Sequence, residues 1–212
     1  MSNKTCFKII TPAFNCSKKI MQTLKSVVGQ SYDCWEMIVL DDMSTDGTGD
    51  FIKNFAIQHR LESKIKVKTR REKYGEVRNT IEEVKNLNDE DIVVRLDAGD
   101  WLTDLGCLEI LKAIYDHHDP AVLWTAQRWS FTEYNISGPI DTNISLYKQP
   151  WKTSHLKTFR VKDFRGLNQK NFLDEDGNFI MIACDQAVFL PMLERARINK
   201  RPLLYYPRVM YH

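Results

Sequence analysis

The stretch Val93–Trp101, V-V-R-L-D-A-G-D-W, decides how the rest of the chain is read. β-Branched and apolar residues stop abruptly at Asp97, and Asp100 follows three positions later with Gly99 just before it. A short apolar run ended by turn residues reads as a buried strand. Two other strand candidates end the same way. Cys6–Ile10 leads into Thr11, Pro12, Ala13, Phe14 and Asn15, and Trp35–Leu40 leads into Asp41 and Asp42.

Helical periodicity fills the spaces between these strands. Ile20, Met21, Leu24, Val27 and Val28 mark a helix over about 17–30 with Ser17 as its N-cap. Phe51, Ile52 and Phe55 mark a second helix, and Val77, Ile81, Val84 and Leu87 a third. Leu108, Leu111 and Tyr115 mark a fourth, capped by Thr103 or Asp104. Further strands are expected at 65–69 and 122–129. Alternating strands and helices with short links imply an α/β fold with a mostly parallel sheet flanked by helices. Ligands bind such sheets beyond the carboxyl ends of the strands, where the polar residues above collect.

The second half loses this rhythm. Residues 131–160 are rich in Ser, Thr, Asn, Gly and Pro and read as a long loop or a small antiparallel excursion. A helix returns near 182–196 with Pro191 as a kink, and a strand-like run closes the chain. The expectation is one domain over 1–212, with a regular half to about 115 and a less regular half from about 116, excised from a longer multidomain protein.

Composition narrows the partners. With 30 Lys+Arg against 28 Asp+Glu, the net charge of +2 does not point to nucleic acid. Lys64–Lys73 alternates cations with Ile65 and Val67, which reads as a solvated strand face or a protected edge. Five cysteines without a C-x-x-C pair suit reduced thiols rather than a disulfide frame. No run reaches membrane-spanning length, so the expectation is a soluble cytoplasmic protein without an integral membrane segment.

Asp97 and Asp100 admit two readings. They are a turn with a helix cap, or they hold a hard divalent cation, Mn²⁺ or Mg²⁺, with phosphate oxygens completing its shell. Of Asp41 and Asp42, one caps the turn S-T-D-G-T and the other can accept a hydrogen bond from a base N–H. Ordinary phosphate loops, zinc-protease motifs and nucleophile elbows are absent.

Four ordered blocks, T-P-A-F-N (11–15), V-L-D-D-M-S-T-D-G-T (39–48), G-E-V-R-N (75–79) and R-L-D-A-G-D-W (95–101), resemble those of family 2 glycosyltransferases with the Rossmann-like GT-A fold. The wording is also similar to the N-terminal glycosyltransferase domain of a large chlorella-virus protein that builds capsid glycans, which would place the chain in host cytoplasm. The resemblance implies an inverting, metal-dependent transfer of a hexose-type sugar from a UDP-sugar to a glycan or glycoprotein hydroxyl. Thr11 to Asn15 would line the nucleoside pocket, Asp42 would bind uracil with Asp41 beside it, and Arg78 would hold the nucleotide-sugar end.

Asp97 and Asp100 would stand for the family's D-x-D, although Gly99 departs from its usual form. Metal coordination then falls to Asp100, with Asp97 nearer the sugar, or to both. Asp185 in A-C-D-Q-A would be the general base, or else a helix cap. R-V-M-Y-H would supply Arg208 for the diphosphate and His212 for the metal, and His155 with Trp151 would face the acceptor. The rival readings are a sugar-phosphate nucleotidyltransferase and a non-catalytic nucleotide-sugar-binding module.

Overall fold

The computed structural model describes residues 5–212. Its centre is a seven-stranded sheet in the order β3-β2-β1-β4-β6-β5-β7. The strands are β1 (Phe7–Ala13), β2 (Trp35–Asp41), β3 (Ile65–Thr69), β4 (Ile92–Arg95), β5 (Val122–Gln127), β6 (Lys157–Arg160) and β7 (Leu203–Tyr211). β3, β2, β1 and β4 run parallel, whereas β6 is antiparallel to both β4 and β5. The basic run 64–73 does form an edge: β3 ends the sheet.

Period-two burial explains why helices cover both faces. Phe7 and Ile9 of β1, Met37 and Val39 of β2, and Ile92 and Val94 of β4 face one core. There they meet α1 (Ile20–Val28), α2 (Thr48–Gln58) and α4 (Cys107–His118) through Leu24, Ile52 and Leu111. Ile10, Ile38 and Val93 face the other core, against Ile81 of α3 (Gly75–Val84), Phe164 of α5 (Val161–Arg165) and Phe189 of α6 (Cys184–Ile198). Strands with both faces covered are apolar throughout, which is why they read as continuous runs.

Several expectations change. Ser17 does not cap α1: Lys19 stands at that position, without a side-chain cap. Gly106, not Thr103 or Asp104, precedes α4, while Asp104 accepts from the Gly106 N–H one turn earlier. The stretch 131–160, read as a long loop or a small antiparallel excursion, ends in β6, an antiparallel strand set inside the main sheet between β4 and β5. Cys6 and Cys34 are joined in a disulfide where reduced thiols were expected. The register explains the pairing, because Phe7 lies opposite Trp35 and each cysteine immediately precedes its strand. No helix among the described residues is long and apolar enough to cross a membrane.

Candidate active site

The carboxyl ends of β1, β2 and β4 are stitched into one edge. The Asp42 N–H donates to the Ala13 carbonyl at 2.9 Å and the Ala98 N–H to the Pro12 carbonyl at 3.4 Å. Asp41, buried, accepts from the Ser44 N–H at 3.1 Å and so caps the turn it opens. Asn15 accepts from the Thr45 N–H at 2.9 Å and holds the same turn from the other side. Asp42 accepts from the N–H groups of Tyr74 (2.8 Å) and Gly75 (2.9 Å) and from the Asn79 amide (2.9 Å). Its carboxylate therefore fixes the start of α3.

Pro12, Ala13, Phe14, Asp42, Glu76 and Asp97 line a cavity of about 280 Å³ beside this edge. Thr11, buried with an unpartnered hydroxyl, lies on β1 without lining that cavity. Arg78 lies outside it too, 3.6 Å over the Tyr74 ring and 3.1 Å from Glu72.

The turn after β4 is built against α1. Gly99 sits at φ 104, a conformation that glycine adopts without a Cβ penalty. Its N–H donates to the Thr23 hydroxyl at 2.9 Å, and the Leu102 N–H to the Ser26 hydroxyl at 3.2 Å. Asp100 accepts from the Tyr211 hydroxyl at 2.6 Å. Burial pushes the Asp100 carboxyl up, the Tyr211 hydroxyl opposes this, and nearby Asp97 adds to it. His212 stacks on Trp101 at 4.2 Å, with Nδ1 3.4 Å from Arg128. Burial and then Arg128 lower the His212 pKa, against a partial pull from Asp100. Arg208 is half-exposed and paired with Asp104 at 3.0 Å, away from these groups.

β6 and α6 complete the site with residues whose joint role the sequence concealed. Arg95, 1% exposed, contacts Glu76 and lies 3.2 Å from Asp97. Lys157, 0% exposed, forms an ion pair with Asp185 in the first turn of α6. His155 Nε2 lies 3.1 Å from Asp185 and 3.9 Å from Asp97, and its ring stacks on Tyr211 at 4.5 Å. Burial pushes the Asp185 carboxyl up, but His155 and Lys157 outweigh it and hold that carboxyl well below the usual range. Burial lowers the Lys157 pKa against the pull of Asp185.

Asp100, His155, Asp185, Tyr211 and His212 share a cavity of about 480 Å³ with Trp129 and Trp151 along its wall. The structure thus gathers Asp100, Asp185 and His212 at one cavity, and Pro12, Ala13, Asp42 and Asp97 at its neighbour.

Among the described residues, no group of three or more His, Cys, Asp or Glu side chains is arranged to hold a metal ion. The donor chemistry at the two aspartates differs. Asp100 is a desolvated carboxylate beside an imidazole, a pair of donors that suits a divalent cation. Asp97 has a guanidinium 3.2 Å from one oxygen, so a cation already occupies that side.

The profile of Glycosyl transferase family 2 matches residues 8–182. The chain belongs to that family. It is 24% identical over 165 residues to glycosyltransferase GlyA of Streptococcus pneumoniae, a match covering 72% of this chain and 23% of GlyA. The matches span only 18–23% of the length of the curated relatives. Among solved structures, S. aureus TarS in complex with UDP superposes with a TM-score of 0.70 at 21% identity, covering 98% of this chain and 60% of that one. Mannosyltransferase PcManGT of Pyrobaculum calidifontis, solved with GDP-Man and Mn²⁺, gives 0.65 at 17%, covering 99% and 57%. The fold is GT-A, as the four sequence blocks implied.

Proposed function

We propose that this chain is the catalytic domain of an inverting glycosyltransferase. It moves a hexose-type sugar from a UDP-sugar to a hydroxyl of a glycan or glycoprotein, with Mn²⁺ or Mg²⁺. One observation carries the reading: Asp185 opens α6 into the same cavity as Asp100 and His212. A proton acceptor and the leaving-group side of the reaction would then share one space. Family membership supports the reaction class. TarS complexes with UDP and UDP-GlcNAc support the donor class. The acceptor would be a glycan, such as one carried by a viral capsid protein.

The nucleoside would occupy the cavity between Phe14 and Asp42. A carboxylate offers about four acceptor positions, and three of Asp42's are taken by Tyr74, Gly75 and Asn79, which leaves one for a base N–H. Asp97, lining that cavity and tethered to Arg95, would orient the ribose or sugar. Asp100 and His212 would hold the metal, which would neutralise the departing diphosphate. Arg78 would reach the nucleotide-sugar end by leaving Glu72, and Arg208 the diphosphate by leaving Asp104.

Asp185 would take the acceptor proton as the hydroxyl attacks the anomeric carbon. Lys157 and His155 keep it ionised, the state in which it can accept that proton. A panel of UDP-sugars with Mn²⁺ tests the reading: one donor should release UDP in a metal-dependent way, with inversion in the transferred product. Retention of configuration would remove the single-displacement mechanism. Donor binding without any UDP release would favour a binding module.

A further inference from the structure

A third cavity, of about 880 Å³, adjoins the other side of Asp100. Lys18, Lys19 and Lys25 line it, together with Trp101 and Phe131. Met21, Gln22 and Lys25 follow the i, i+1, i+4 spacing of one side of α1, and Lys18 and Lys19 stand in the turn just before it. The three ammonium groups pair with no carboxylate among the described residues. Phe131 is 99% exposed and lines this cavity and the Asp185 cavity alike, as do Asp100 and Ser130. The row is also fixed to the site, because the Thr23 hydroxyl on α1 accepts from the Gly99 N–H and Lys19 packs over Gly99.

A wide trough with three free cations, aromatic walls and one end at the reacting centre has the chemistry of a chain-binding groove. The cations are spread along the trough: Lys19, at the start of α1, and Lys25 are six residues apart, about 9 Å at the helical rise, and Lys18 lies in the turn before the helix. We infer that this trough binds the acceptor, and that the acceptor is an anionic glycan bearing repeated phosphodiester or carboxylate groups. The inference rests on the glycosyltransferase reading and names the acceptor class for it.

Binding and turnover are measured separately, so that failure of one idea is not failure of the other. Titration calorimetry at low salt would compare a glycerol-phosphate oligomer, an oligogalacturonate and a neutral malto-oligosaccharide of similar length. The anionic oligomers should bind more tightly than the neutral one and weaken in 0.5 M salt. Binding of only one anionic oligomer identifies which group is read. The Lys18→Gln/Lys25→Gln variant, altered only at exposed positions, should lose roughly 2- to 30-fold in that affinity, the range for two exposed ion pairs. Its acceptor-free UDP-sugar hydrolysis should stay at the wild-type rate. Equal binding of the neutral oligomer, or unchanged anion affinity in the variant, would overturn the inference. So would a parallel fall in donor hydrolysis, which would assign the lysines to the diphosphate. Absence of hydrolysis in the wild type would count against the transferase reading alone.

Discussion

Asp185→Asn is expected to damage the protein in two separable ways. Asn can still cap a helix, so a capping role alone predicts little change. The structure predicts more, because Lys157 is 0% exposed and its ammonium forms an ion pair with Asp185. Removing one partner of a fully buried pair costs about 3–5 kcal/mol. The Asp185 side chain is 29% exposed, so solvent screening reduces the expected cost to about 2–3 kcal/mol. For a chain of this size that is a Tm fall of roughly 4–12 °C. Loss of a general base should lower transfer by about 10²–10⁴-fold while UDP-sugar affinity holds. The double variant Lys157→Met/Asp185→Asn separates the effects. Methionine suits the Trp151 and Phe189 surroundings of the Lys157 head, so the melting temperature should recover most of its loss. Transfer should stay low. Thermal melts and a coupled UDP-release assay with acceptor read both quantities. Near-normal transfer in either variant would refute the base assignment. A single variant that melts like wild type would refute the ion-pair argument.

Asp42→Ala should weaken UDP binding and also cost about 3 kcal/mol of stability, since it strips the acceptor from Tyr74, Gly75 and Asn79; calorimetry and melting check the two separately. EDTA should abolish UDP release and Mn²⁺ restore it, and Asp100→Ala should lose the restoration without losing the fold; full turnover in EDTA would end the metal role. Glu194 is held down to about 2, chiefly by Arg197 with burial opposing, and it also accepts from the Leu146 N–H at 2.8 Å. A depressed carboxyl stabilises above its ordinary range and loses that contribution as pH falls, so the tether of the Leu146 turn to α6 should loosen between about 4.5 and 2. Hydrogen exchange at Leu146 across that range should show the loss in wild type and not in Glu194→Gln.

The first five strands and four helices were legible because each is written in local periodicity. Ile9, Ile38 and Val94 are buried, and so are Ile10, Val39 and Val93 beside them, the continuous apolar run of a strand covered on both faces. Residues that close turns were legible as polar punctuation, although their duties were not: Asp42 organises α3, 33 residues downstream, through hydrogen bonds no local pattern encodes. The Cys6–Cys34 bond escaped for the same reason, because a cysteine count says nothing about which strands lie side by side.

β6 shows why the remainder of the site was hidden. Lys157, Thr158, Phe159 and Arg160 are all buried, yet two of the four carry charge. Read locally, such a segment belongs at the surface, because an isolated buried ion is strongly unfavourable. Its burial is tolerable only through partners supplied from elsewhere: Asp185 of α6 for Lys157, and Asp119, just after α4, for Arg160 at 2.7 Å. The strand therefore cannot be recognised before those partners are placed, and Asp185 cannot be distinguished from a helix cap before the strand is. Arg95 repeats the pattern at the end of β4, where Glu76 and Asp97 make its burial possible. In this chain the compensation of buried charge and the assembly of the candidate site are one arrangement. A substitution there should seldom change chemistry without also changing stability.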